Sequence, residues 1–255
     1  MSDGNNNTPR RPLLAGGEHL AELTKRPQGG GPKYHPYSAE QAHAMLTPLA
    51  EALAHDLVAI PEKLSARHVV FEATLHPNYL ASSYFPGALL EKSDLYVVGV
   101  RRARGVLKTK ASETPDQPTK TILLAGSRES VAGFADMVVT GPARQKREWE
   151  AVSRFSEFVV PRPERVVRRL PADTGPGEVV TWEVVLNPIG RSRMERIAWG
   201  DEAFRKLVAW VGELGGEVDV DYRRQVQDVT FVPMALNVEA INEAARFNCT
   251  SSDLI

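Results

Sequence analysis

Hydrophobic positions fall into period-2 and 3.6-period runs separated by turns rich in Gly and Pro. Ser38-Ala39-Glu40-Gln41 forms a capping box, and Met45, Leu49, Leu53 and Leu57 follow at i, i+4, predicting a helix that lasts until Pro61. The next elements are a strand from His68 to Leu75, a short helical or turn segment from Pro77 to Leu90, and a strand from Leu95 to Arg102. A loop with Pro115 and Pro118 leads to a strand from Thr121 to Ala125. Ser127 caps a helix to Val138 whose Val131, Phe134, Ala135 and Val138 share one face. Arg154 to Val160 reads as a closing strand, while Gln145 to Phe155 also reads as helix.

The second half predicts a strand from Val179 to Leu186, an excursion through Gly190 to Trp199, and a helix from Asp201 to Leu214 that stops at Gly215-Gly216. Strands Glu217 to Tyr222 and Val229 to Met234 precede a helix from Asn237 to about Phe247. The closing strand expected at Phe247 to Ile255 is too polar for a central position. The halves echo each other. Phe71-Glu72-Ala73-Thr74-Leu75-His76-Pro77 returns as Trp182-Glu183-Val184-Val185-Leu186-Asn187-Pro188, and the segment from Ser127 to Ala135 returns from Asn237 to Ala245. A fixed offset of this kind marks a duplicated structural unit, which reads as scaffold.

The expected fold is α+β: two tandem ferredoxin-like βαββα(β) repeats with antiparallel sheets, preceded by a flexible N-terminal arm and one helix. The boundaries are an arm over 1–36, the N-terminal helix over 37–64, a first repeat over 65–165 and a second over 166–255. Each sheet's helix-free face needs a cover. The two sheets could cover each other, or the Ser38 helix could cover one of them.

Composition narrows the function more than the fold. At 255 residues and 42% hydrophobic, the chain can bury a sizeable core. Its net charge of -1 argues against a generally basic nucleic-acid binder, leaving only local clusters at Arg101-Arg102-Ala103-Arg104 and Arg144-Gln145-Lys146-Arg147. One cysteine, Cys249, excludes an intramolecular disulfide. No apolar run has the length of a membrane span and the polar N-terminus lacks a signal-peptide core, so the expected compartment is the cytoplasm.

The six histidines include no H-x-H or H-E-x-x-H pair, and no P-loop pattern occurs, so neither a metal nor a cofactor is expected. Glu72 and Glu183 occupy matching strand positions and read as solvent-facing residues or as caps for partners. Tyr79, Tyr84 and Phe85 lie between Pro77 and Pro86, a composition suited to a protein interface and equally to burial.

The run Thr74-Leu75-His76-Pro77-Asn78-Tyr79-Leu80-Ala81-Ser82-Ser83-Tyr84-Phe85-Pro86, with Leu89-Leu90 after it, resembles the N-terminal, non-catalytic region of bacterial subtilisin-like serine peptidases. The strand from Tyr96 to Arg102 and the Val229-Thr230-Phe231-Val232-Pro233 strand fit the same order, so the resemblance spans roughly Leu57 to Phe247. It implies a chain that would continue from about Phe247 into a subtilase domain, in a system paired with an AAA-type ATPase in bacterial defence-like operons. The catalytic residues are not in this sequence. Asp173-Thr174-Gly175 has the letters of the aspartate motif without an apolar strand before it, Ser130-Val131-Ala132-Gly133 lacks a preceding His, and no Gly-Thr-Ser occurs.

The resulting expectation is a non-catalytic, propeptide-like interaction module that binds a subtilisin-like protease domain or an AAA-type ATPase. Its candidate contact residues are Tyr79, Tyr84, Phe85, Arg101, Arg102, Leu254 and Ile255, the last two on a tail from Cys249 that the resemblance would place in a protease cleft. A membrane, nucleic acid and a small-molecule ligand are not expected partners. The alternatives are a stand-alone nucleic-acid-binding protein with ferredoxin-like domains, using the N-terminal arm and the Arg101 and Arg144 clusters, and an enzyme whose site would show as a deep pocket of convergent polar groups.

Overall fold

Ser38 caps the first helix, α1 (Ala39–Ala59), through the full capping box: the Gln41 N–H donates to Ser38 Oγ at 3.2 Å and the Ser38 N–H to Gln41 Oε1 at 2.9 Å. These details come from a computed structural model that describes residues 36–108, 112–142, 146–161, 175, 177–186, 189–226, 229–247 and 250–251. The stripe that α1 buries is Ala42, Leu46, Ala50, Leu53 and Leu57. Met45 and Leu49, predicted on that stripe, flank it instead. The alanines explain the rotation, because they let the helix approach its neighbour closely where two longer side chains would hold it off.

The first sheet contains β1 (His68–Leu75), β2 (Tyr96–Lys108), β3 (Glu113–Ser127) and β4 (Phe155–Val159), in the order β2-β3-β1-β4 with every pairing antiparallel. β2 and β3 are much longer than their apolar cores predicted. The expected loop at Pro115 and Pro118 is strand, because this part of β3 pairs only with β2 and its other edge needs no N–H donors. Between β1 and β2 lie two 3₁₀ turns and the six-residue helix α2 (Gly87–Lys92). So short a crossover leaves room on the sheet, and α1 fills it beside α3 (Arg128–Thr140): Leu46, Leu53, Phe71, Leu124, Val131 and Phe134 belong to one buried cluster. The two readings of residues 145–160 are both realised in succession, as α4 (Lys146–Val152) and then β4.

The second sheet contains β5 (Val179–Leu186), β6 (Glu217–Val218), β7 (Arg224–Val226), β8 (Val229–Asn237) and β9 (Thr250–Ser251), in the order β6-β8-β5-β9, with β7 also pairing β8. The predicted strand from Glu217 to Tyr222 is broken by a 3₁₀ turn at Val220–Tyr222, so β6 and β7 together form one interrupted edge. Of the polar closing segment, Thr250 and Ser251 pair as a strand with Leu186 and Val185. Helix α5 (Arg193–Glu213) begins eight residues earlier than predicted, under a Ser192/Glu195 capping box. Helix α6 (Val238–Ala244) follows β8 under the Asn237 cap, as α3 follows β3 under Ser127. The fold is therefore α+β with two antiparallel sheets.

One helix layer links the halves. Val70 and Ala125, on the face of the first sheet opposite α1 and α3, share a buried cluster with Trp182, Trp199, Leu207 and Val232. Polar ties run beside it. Arg67 meets Glu202 at 3.0 Å, Lys206 Nζ donates to the Ser65 carbonyl at 2.8 Å, and Arg191 reaches Asp94 at 2.7 Å. Helix α5 thus shares one core with the outward face of the first sheet and the inward face of the second. The Ser38 helix joins α3 on the opposite, helix-bearing face of the first sheet.

Candidate functional site

Of the aromatic excursion, the first member is interior. Tyr79 is 2% exposed and meets Tyr84 edge-on at 5.3 Å between ring centroids. Arg154 lies over the Tyr84 ring and donates to its carbonyl at 2.8 Å, and Phe85 packs on the first core. Phe85 also lines a groove of about 410 Å³ between α2 and α4, bridged by Lys92 and Glu148. The excursion is held by its own aromatic contact and by ties to neighbouring elements. Asn78 adds two hydrogen bonds to the Lys108 backbone, its Nδ2 donating to the carbonyl at 2.8 Å and its Oδ1 accepting from the N–H at 3.2 Å, which extends the ladder of β2 onto the turn.

His76 is buried at the end of β1. The Asn78 N–H donates to its Nδ1 at 3.2 Å, which places the neutral ring's proton on Nε2, a buried atom with no hydrogen-bond partner. Burial, with the Lys108 charge adding to it, pushes its pKa down to about 4. An unfolded histidine protonates near 6.5, so the folded state takes up its proton later as acid is added. Stability from this group is complete above about pH 6.5 and is lost as pH falls toward 4. Urea unfolding at pH 7 and pH 5 should show wild type losing about 2 kcal/mol more than His76→Gln between the two. Equal losses in the two proteins would refute it.

The basic run on β2 is divided by the strand's alternation. Arg101 turns onto the outward face of the first sheet and pairs with Glu72, which is 3% exposed; Arg102 points to the other side. Glu72 is therefore not a solvent-facing residue. Arg104 binds the Asp116 carbonyl at 3.0 Å and its carboxylate at 3.5 Å. Around Glu72 and Arg101 lies a pocket of about 360 Å³ lined also by Thr74, Thr121, Ala103, Arg104 and Glu157.

The second sheet repeats this ion pair. Glu72 stands opposite Leu123, and Arg101 opposite Thr121, two residues back along β3. Glu183 stands opposite Pro233, and Arg224 opposite Phe231, two residues back along β8, with the pair closed at 2.9 Å. Each first-strand glutamate thus crosses the third strand on the same diagonal to an arginine on the outer strand. Its signal was legible in the Phe-Glu/Trp-Glu echo, but the arginines lie at unequal sequence offsets and only strand pairing aligns them.

The remaining predicted residues do not converge. Arg144, Cys249, Leu254 and Ile255 lie outside the described residues, as do Asp173 and Thr174. Ser130-Val131-Ala132-Gly133 forms the first turns of α3, with Val131 buried in the core. Among the described residues no group of three or more His, Cys, Asp or Glu side chains could hold a metal ion, and no helix is long and apolar enough to cross a membrane.

The outward face of the second sheet carries apolar side chains into solvent. Val226 is 54% exposed beside half-buried Phe231 and the Glu183–Arg224 pair, with half-buried Pro233 opposite Glu183, while Val179, 66% exposed, stands opposite Asn237 at the other end of β8. No family model matches the chain, and no curated protein matches it significantly.

Proposed function

We propose that the chain is a non-catalytic, propeptide-like interaction module of a subtilisin-like serine peptidase system, docking on a protease domain or an AAA-type ATPase. On this reading both halves are ferredoxin-like units. The recurrence of one strand order, outer-third-first-fourth, with antiparallel neighbours throughout supports it.

The observation that carries the docking role is the outward face of the second sheet. In the first sheet the equivalent face is covered in part by the core shared with α5. In the second, Val226, Phe231 and Pro233 flank one ion pair, with Val179 exposed farther along the same face at the start of β5. An apolar patch rimmed by charge is the composition of an interaction surface, and a flat sheet face suits the helices of a globular partner. The scaffold-like burial of Tyr79 moves the expected contact away from the aromatic excursion to this face.

The test is inhibition of a subtilisin-like protease domain. Micromolar excess of the chain is expected to slow peptide hydrolysis, and Val179→Asp with Val226→Asp, both solvent-exposed positions, to weaken that effect roughly tenfold or more while circular dichroism is unchanged. Turnover indifferent to the wild-type chain, together with no co-elution with the ATPase, would sink the proposal.

A further inference from the structure

We propose that the open edge of the first sheet takes an acidic, extended peptide as a fifth strand. β2 is the end strand of that sheet and pairs only with β3. Every second residue of such a strand turns its N–H and C=O groups away from the sheet, where a further strand can bond them. The ladder with β3 shifts register between Val97 and Gly99 and again between Gly105 and Leu107, and it is regular from Gly99 to Gly105. That stretch contains no proline, so its outer edge is a continuous template. The hydrogen bonds from Asn78 engage β2 beyond it, at Lys108.

The charges select the strand. Arg102 stands directly opposite Lys120 of β3, and both lie on the helix-bearing side of the sheet, in alternation with Thr121 and in phase with buried Ile122. Like charges in cross-strand register repel, and among the described residues neither cation has an acid partner. Arg104, two residues along the same face, holds Asp116 through one terminal nitrogen, and its side chain is 66% exposed. A strand laid beside β2 with carboxylates at alternate positions sets them next to Arg102 and Arg104 and offsets the repulsion.

The same cations argue against two other occupants. A second copy of the chain pairing through β2 would lay arginine-rich strands side by side, which is how charged edges keep identical strands apart. Single-stranded nucleic acid is held by aromatic platforms as well as by cations, and neither Gly99 to Gly105 nor the facing stretch Gln117 to Leu123 contains an aromatic residue. Strand addition draws affinity from the backbone and selection from the side chains beside it, here the two arginines. This inference does not rest on the docking role of the second sheet.

The test uses the full chain, observed by NMR, with capped Thr-Glu-Val-Glu-Thr as probe. Its comparisons, at equal ionic strength, are the same peptide with lysine for glutamate, a copy N-methylated at every amide, and an oligouridylate of the same length. The glutamate peptide is expected to shift the amide resonances of Gly99 to Arg104 saturably and to slow their hydrogen exchange, with the lysine peptide inert and the N-methylated copy weaker by about tenfold. Arg102→Glu should weaken binding roughly tenfold. Because it sets opposite charges across β2 and β3, it should also preserve or raise the thermal midpoint. A lysine peptide that binds as tightly as the glutamate peptide, or affinity unchanged in Arg102→Glu, would overturn the proposal. An N-methylated copy that binds equally would overturn the strand addition, and an oligouridylate that binds more tightly than the peptide would overturn the choice of a peptide.

Discussion

Trp199→Ala is expected to cost about 4 kcal/mol of folding stability, the largest effect of any single substitution considered. The indole is 1% exposed on α5, in the cluster that brings Val70 and Ala125 of the first sheet together with Trp182 and Val232 of the second. Truncation removes the burial of a large aromatic and leaves a cavity bounded by strands from both sheets, which cannot collapse without moving one sheet toward the other. Trp199→Phe should cost far less, about 1 kcal/mol. It keeps most of the apolar volume and deletes an indole N–H that is buried without a hydrogen-bond partner. Urea unfolding followed by far-UV circular dichroism and by fluorescence reads both costs. The two signals should fall together in wild type, because the halves share a core. An alanine variant losing less than about 1.5 kcal/mol would show that α5 is not the joint between them.

The paired arginines are expected to differ although their sheet positions match. Arg101→Ala leaves the carboxylate of Glu72, 3% exposed, without its ion-pair partner, and breaking a buried pair from one side costs about 3 kcal/mol. Arg224→Ala acts on a pair whose arginine side chain is 70% and whose glutamate 22% exposed, so the loss should stay below about 1 kcal/mol. The double variant Glu72→Gln with Arg101→Met should recover most of the first loss, since the penalty lies in the stranded charge. Thermal unfolding of the four proteins at pH 7 decides it; equal costs at the two arginines would show that burial is not what separates them.

Much of the architecture was legible because local signals and tertiary demands agreed. The boundaries of β1 and β5, runs rich in Val and aromatic residues without Gly or Pro, match their predicted spans, and the caps at Ser38, Ser127 and Asn237 sit where hydroxyl or amide precedes an apolar face. Errors came where a neighbour supplied what the local sequence lacks. β3 runs through Pro115 and Pro118 because β2 alone pairs with that stretch. The first two turns of α5 carry no apolar stripe over Arg193, Met194, Glu195 and Arg196, so periodicity places the helix start later, although Ser192 and Glu195 spell the capping box.

The candidate site was less legible than the fold. Tyr79 was a plausible contact residue on composition, and its burial depends on how the excursion folds back on Tyr84 and Arg154. The pocket joins residues from β1, β2, β3 and β4, up to 85 positions apart from Glu72 to Glu157, and no window of sequence contains it. Periodicity and capping, properties of neighbouring residues, already carried the α+β class and the succession of most strands and helices. Only the tertiary structure decided which sheet face was covered, which glutamate was buried, and where hydroxyls and carboxylates met. Those depend on strands brought together across the chain, where register alone sets which side chains share a face.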